Sequence, residues 1–186
     1  MSSALFNPAG GLRYHYRALR HGSTRWSSFR WALGEWLLHW QTVEPTLLLV
    51  GPSGGYNLQP FLLERFERVV VLEPDPLARW ILRRRLARVP LEPRPRLEFI
   101  AEDRLVKHPE RLATLLARLG PTAILFCNVL GQLRHLLEVD DTESPAFVAV
   151  RNAVIAARAG RSWASFHDRV SGTIAPSIED AVWLER

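Results

Sequence analysis

Residues 47–75 read LLLVGPSGGYNLQPFLLERFERVVVLEPD, and their order decides the fold. Leu47 to Val50 is a short, wholly apolar run. Such a run suits a strand covered on both faces, as in a parallel sheet. Gly51-Pro52-Ser53-Gly54-Gly55 makes a turn. Leu58 to Phe66 predicts a helix, with Leu58, Phe61, Leu62 and Phe66 available for burial. Val69 to Leu72 predicts a second strand, which runs into Glu73 and Asp75. Strand, glycine turn, helix and strand together make one βαβ unit.

The same alternation continues outward. Pro76 suits the first turn of a helix, where its missing N–H costs little, and Asp75 suits its cap. That helix runs to about Val89, before a Pro-rich connector over Pro90 to Pro95. Leu97 to Ile100 predicts strand three. Pro109 to Leu119 predicts a helix with Leu112, Leu115, Leu116 and Leu119 inward, and Gly120-Pro121 stops it. Ala123 to Cys127 predicts strand four, and Leu133 to Val139 a helix. Glu143 to Ala159 predicts a further helix, interrupted near Ser144-Pro145. Ser162 to Phe166 predicts strand five. Upstream, Ser27 or Ser28 suits the cap of a helix to about Gln41. Phe29, Leu33, Trp36, Leu37 and Trp40 share its face, and four of the seven tryptophans lie between Trp26 and Trp40. A covering helix is one reading of that face; an aromatic substrate wall or a partner surface is the other. Right-handed crossovers then imply an α/β fold with a mostly parallel sheet and helices on both faces. Residues 1–45 form an N-terminal arm and covering helix, and residues 46–186 the core.

Bulk properties narrow the function classes. At 186 residues and 47% hydrophobic content, the chain suits one ordered domain. No apolar run approaches the roughly 20 residues of a membrane span. The N-terminus lacks a basic start followed by an apolar secretory segment, so a cytoplasmic location without membrane contact is expected. Cys127 is the single cysteine, which removes intrachain disulfides and a cysteine zinc cluster and reads as a packed thiol. The histidines are too dispersed to suggest a metal site, and Asp140-Asp141 reads as a solvated loop. The formal charge is +5, and Lys107 is the only lysine. Arginine forks onto carboxylates and phosphates. The clusters Arg13 to Arg30 and Arg83 to Arg88 match no nucleic-acid motif, so contact with nucleic acid rests on charge alone.

The chemistry-bearing residues fall at strand ends. Gly51 closes the first core strand, where ligands bind in open parallel sheets. Without a side chain it allows close approach, and Gly54 and Gly55 open the turn. The pattern is neither a full dinucleotide fingerprint nor a P-loop. Glu73 ends strand two about twenty residues later, where a carboxylate can accept from both hydroxyls of a ribose. Asp75 competes with it. Asp103 after strand three can accept from an adenine amine; Glu102 competes, and either also suits a local backbone cap. Asn128 leaves strand four, where its amide can orient a ligand or serve the turn. Gln132 is a weaker polar candidate. His167, followed by Asp168, leaves strand five and can take a proton or position a substrate, or serve only as loop.

From Thr46 to Gly172 the order resembles the class I S-adenosylmethionine-dependent methyltransferase superfamily. VGPSGG resembles its first cofactor motif, LEPD its ribose-binding strand end, and AEDR the adenine position. FCNVLGQL resembles the segment bordering methionine and substrate, and SFHDRVSG the segment after strand five. The resemblance implies a Rossmann-like core, S-adenosylmethionine as cofactor, and methyl transfer to an unidentified acceptor. It implies Gly51 and Gly54 near the cofactor, Glu73 at the ribose, Asp103 at adenine and Asn128 near the sulfonium or substrate. His167 would then accept a proton from an oxygen or nitrogen acceptor. Val50 stands where the family carries an acid, and Pro52 and Ser53 interrupt its alternating glycines. The family sheet has seven strands, yet only Ile174 to Arg186 follow here, with Val182-Trp183-Leu184 apolar. A sheet incomplete after strand five, or completed by a partner, is therefore expected. The alternatives are a noncatalytic cofactor-binding scaffold or partner subunit, contacting its partner through the Trp-bearing helix, and a nicotinamide oxidoreductase.

Overall fold

The computed structural model describes residues 26–167 together with His15, Tyr16, Ala18 and Arg20. Helix α1 (Ser27–His39) leads into strand β1 (Thr46–Val50). There follow α2 (Pro60–Glu64), β2 (Arg68–Leu72), α3 (Pro76–Ala87) and β3 (Arg96–Ile100). Then come α4 (Glu110–Leu119), β4 (Thr122–Cys127) and a single 3-10 turn (Leu130–Gln132). The short α5 (Leu133–Leu136), α6 (Pro145–Arg158) and β5 (Trp163–Phe166) complete the described chain. The residues after His167, among them Asp168, Ser171-Gly172-Thr173 and Val182-Trp183-Leu184, lie outside the described residues. The expectation of an incomplete sheet falls there too.

The five strands form one sheet in the order β3-β2-β1-β4-β5, and every neighbouring pair is parallel. Leu48 pairs with Val70 on one side and Ile124 on the other. Alternate side chains face opposite sides, so a one-residue slip would exchange the two cores. Leu47, Leu49, Val69 and Val71 pack against Leu33 and Leu37 of α1, Leu62 of α2 and Leu82 of α3. Leu48, Val50, Val70 and Leu72 pack against Leu112 and Leu116 of α4 and Val150 and Val154 of α6. Helices thus cover both faces, which is why β1, β2 and β4 read as unbroken apolar runs. The chain builds outward from β1 through β2 to β3, then crosses to β4 on the other side. The topological switch lies between β1 and β4.

Several boundaries depart from the sequence expectation. α2 spans five residues rather than Leu58 to Phe66. Pro60 stands in its first turn and holds Gln59 extended at φ −96°, ψ 128°, so the preceding residues stay in the loop. α1 begins after Trp26, and neither Ser27 nor Ser28 occupies the N-cap. Its buried stripe is Leu33, Gly34 and Leu37, whereas Trp36 is 45% exposed and Trp31 70%. Gly34 gives this face room for a close neighbour. The Gln59 side chain lies 3.4 Å from where a Cβ on Gly34 would stand, and its amide donates to the Arg30 carbonyl. The segment after β4 is a 3-10 turn plus one short helix, and Glu138 then turns left-handed at φ 54°. α6 starts at Pro145 because Ser144 caps it, its hydroxyl accepting from the Phe147 N–H.

Asp75 caps α3 as expected, its carboxylate accepting from the Leu77 N–H at 2.8 Å. Replacing such a cap by alanine costs about 1 kcal/mol. Asp75→Ala is expected to lower the unfolding free energy by about that amount in urea denaturation.

Candidate functional site

A cavity of about 630 Å³ opens at the carboxyl ends of β1, β2 and β4. Ligand clefts run from roughly 300 to 1,000 Å³. It lies at the switch between β1 and β4, where open α/β sheets bind their ligands. Gly51, Glu73, Asp103 and Asn128 all line it, although they come from four separate strand ends. The sequence spacing and the fold therefore bring these residues together.

The loop after β1 is held by its glycines. Gly51 sits at φ 66°, and its N–H donates to the Leu72 carbonyl at 3.0 Å, extending the β1–β2 ladder. A Cβ there would stand 3.3 Å from Cβ of Val129, so the residue leaves room at the cavity floor. Gly55 is at φ 69°, and a Cβ on it would lie 2.4 Å from Cδ1 of buried Leu82. Gly54 does not line the cavity. Its hydrogen faces the Tyr56 ring and Ile81, where a Cβ would stand 2.7 Å and 3.0 Å away, so it draws the loop against α3.

Glu73 is the buried acid of the site, with 6% exposure. One carboxylate oxygen accepts from the Ser53 N–H at 2.8 Å, the other from the Asp75 N–H at 3.1 Å. Arg79 donates to the Glu73 carbonyl. Burial dominates and pushes the Glu73 carboxyl up to about 7, against the two N–H donors and Arg79, which favour the charged form. A carboxyl raised on folding binds its proton more tightly in the native state. Its contribution is complete below the ordinary pKa of 4.5 and is lost as pH rises through about 7. The wild type is therefore expected to lose about 3 kcal/mol from this group between about pH 5 and pH 8. Urea unfolding across that range should show the loss, and Glu73→Gln should remove that component of the slope.

The rival acids separate. Asp75 also lines the cavity, but it caps α3 and stands 3.7 Å from Nε2 of buried His15. Asp103 lines the cavity with one oxygen accepting from the Leu105 and Val106 N–H groups. It thus serves as a local cap and still presents its carboxylate at the site. Glu102 is bonded to Arg104 and Arg111 and does not line the cavity. Asn128 adopts φ 57°, a left-handed conformation that Asn tolerates, and its N–H donates to the Phe166 carbonyl at 2.7 Å. Gln132 lines the cavity as well. His167 is exposed and does not line it; a Cβ on Gly131 would lie 2.8 Å from Cβ of His167. Cys127 is buried, and burial pushes its thiol well up, as suits a packed group.

Three features of the site escaped the sequence reading. Ser53 supplies through its backbone the N–H that holds Glu73. Asn57 lines the cavity with its side-chain oxygen buried. Leu105 and Val106 form an apolar wall. Their signal was an apolar pair inside the otherwise charged run from Glu102 to His108.

No protein-family model matches the chain, and no curated protein matches it. Among solved structures, it is similar to the glycopeptide N-methyltransferase MtfA complexed with S-adenosyl-L-methionine, at 20% identity and a TM-score of 0.41. That similarity covers 67% of this chain and 49% of the other, so the chain spans about half the length of that methyltransferase. The MtfA complex with S-adenosyl-L-homocysteine matches at 20% identity and 0.41, over 66% and 46%. The cofactor-bound Rv0187 from MTB matches at 18% identity and 0.36, over 80% and 79%. The chain's own strand order and pairing establish an α/β, Rossmann-like fold, the class that the sequence resemblance implied.

Proposed function

We propose that the chain binds S-adenosylmethionine and transfers its methyl group to an acceptor not yet identified. The observation that carries this reading is the placement of buried Glu73 on one cavity with Gly51, Asp103 and Asn128. The lining suits such a cofactor in charge and in shape. It holds three acids, Glu73, Asp75 and Asp103, against one base, Lys107. An acid-rich cleft favours a cationic nucleoside over a phosphate-bearing one. A dinucleotide also needs a helix N-terminus for its pyrophosphate. Here α2 starts only at Pro60, beyond the glycine loop, with no N–H to give at that position. That argues against a nicotinamide oxidoreductase.

In this reading Glu73 accepts from the ribose hydroxyls, and Asp103 accepts from the adenine amine through its second oxygen. Leu72, Leu105 and Val106 flank the purine. Gly51 admits the cofactor close to the backbone, and Gly54 keeps the loop in place. The cofactor supplies a methyl group activated by the attached sulfonium. Asn128 orients donor and acceptor. His167 is exposed beside Gly131 and off the cavity lining, so this reading leaves the proton of an oxygen or nitrogen nucleophile to solvent.

A second reading is favoured by one observation. Val50, where the resemblance leads one to expect an acid, is buried and apolar at the cavity. A cofactor-binding scaffold without transferase activity would tolerate that change, with exposed Trp31 and Trp36 of α1 as its partner surface. Incubation of the full chain with methyl-labelled cofactor and a panel of small-molecule, protein and nucleic-acid acceptors separates the two. Label in an acceptor supports transfer. Cofactor binding with no label in any acceptor supports the scaffold.

A further inference from the structure

The chain concentrates its positive charge in one segment. Between Arg79 and Arg96 stand seven arginines and one acid, Glu92. That segment sums to +6 where the whole chain sums to +5, so all other residues together sum to −1. The fold gathers most of this charge on α3, which with its C-terminal cap Arg88 carries five arginines and no acid. Arg83, Arg84 and Arg88 are exposed, and none of them forms an ion pair with an acid among the described residues. Arg84 stands in the last turn of α3 and Arg88 at its C-cap, where the helix dipole favours cations and offsets their mutual repulsion.

An aromatic side chain joins them. Trp80 is 53% exposed, and the Arg84 guanidinium lies 4.6 Å from its ring centroid. Trp80, Arg84 and Arg88 follow one another at four-residue steps, each rising about 6 Å along the helix. A flat π face thus stands in line with two forked cations. Single-stranded nucleic acid is recognised by that combination, with bases stacking on aromatic faces and phosphates meeting arginine. A bilayer surface is a poorer match. A helix that lies on lipid needs an apolar face to insert, and the apolar face of α3, Ala78, Leu82 and Leu86, is buried in the core. We propose that the exposed face of α3 binds single-stranded nucleic acid. The proposal stands apart from methyl transfer, since binding is read with no cofactor added.

The test is fluorescence anisotropy of the full chain with a labelled oligouridylate of about twenty nucleotides, from about 50 to about 300 mM salt. The expected result is saturable binding that weakens with salt, with a log–log slope near −2 for about three phosphate contacts. Arg84→Gln combined with Arg88→Gln is expected to bind about tenfold more weakly and to flatten the slope by about 1.4. Trp80→Ala is expected to bind about tenfold more weakly at unchanged slope. These side chains are exposed, and unchanged thermal melting by circular dichroism shows that the variants fold. Absence of saturable binding at the lowest salt overturns the proposal. So does wild-type affinity in the folded double variant, or tighter binding to phosphatidylserine vesicles or to polyglutamate than to the oligonucleotide.

Discussion

Glu73→Ala is expected to weaken S-adenosylmethionine binding by at least about 100-fold, because in the proposed reading it deletes the acceptor for two ribose hydroxyls. Hydrogen bonds to a charged acceptor contribute about 1.5–3 kcal/mol each, and two of them exceed the roughly 2.7 kcal/mol that a 100-fold change requires. The buried setting sharpens the expectation. Glu73 is 6% exposed, and its carboxyl is raised to about 7. The charged form is the better acceptor, so wild-type affinity should rise about tenfold between pH 6 and pH 8 as the group ionises. Calorimetric titration at several pH values measures both effects. Glu73→Gln keeps one acceptor oxygen and cannot ionise, so it should bind weakly with that pH dependence removed. A Glu73→Ala variant that binds like the wild type would show that the carboxylate holds the loop alone, through the Ser53 and Asp75 N–H groups.

Gly55→Val is expected to lower the unfolding free energy by about 4 kcal/mol. Two costs add. The residue sits at φ 69°, where a side chain costs about 1–2 kcal/mol and a branched one more. A Cβ would also lie 2.4 Å from Cδ1 of Leu82, itself buried, and overpacking a core costs about 1–3 kcal/mol. The strain would reach the site, because Gly55 anchors the loop that carries Gly51 and Ser53. Urea denaturation reads the loss. Gly160→Val is a useful control. That residue has nearly the same φ, at 67°, but nothing lies within 4 Å of an added Cβ, so it carries the backbone cost without the Leu82 contact. Equal losses in the two variants would remove the packing argument.

The sheet was legible because its strands are buried on both faces. Leu47 to Val50 and Ala123 to Cys127 carry no polar interruption, and each run matches a strand to within one residue. Glu73, Asp103 and Asn128 were legible for a related reason. Parallel strands bring their carboxyl ends to one edge, so the polar residues just past each apolar run gather there. The helices were less legible. Periodicity placed Leu58 and Phe66 in α2, but it does not register that Pro60 fixes the residue before it. Hydrophobicity grouped Trp36 with Leu33 and Leu37, whereas the buried stripe includes Gly34, a residue with no side chain to signal it. His167 followed the rule for strand ends and yet lies beside Gly131 rather than on the cavity. Gly54 likewise acts through Tyr56 and Ile81, contacts made across the loop that no spacing encodes.

The central claim is that the cleft at the β1–β4 switch takes a cationic methyl-donor nucleoside. Isothermal titration of the full chain with S-adenosylmethionine and S-adenosylhomocysteine, with NAD and ATP as controls, tests it most directly. One-to-one binding of the first two, much weaker binding of the controls and loss of both in Glu73→Ala is the predicted result. Heat-silent titrations that stay silent by a second binding assay on folded protein, or a preference for NAD, would contradict it.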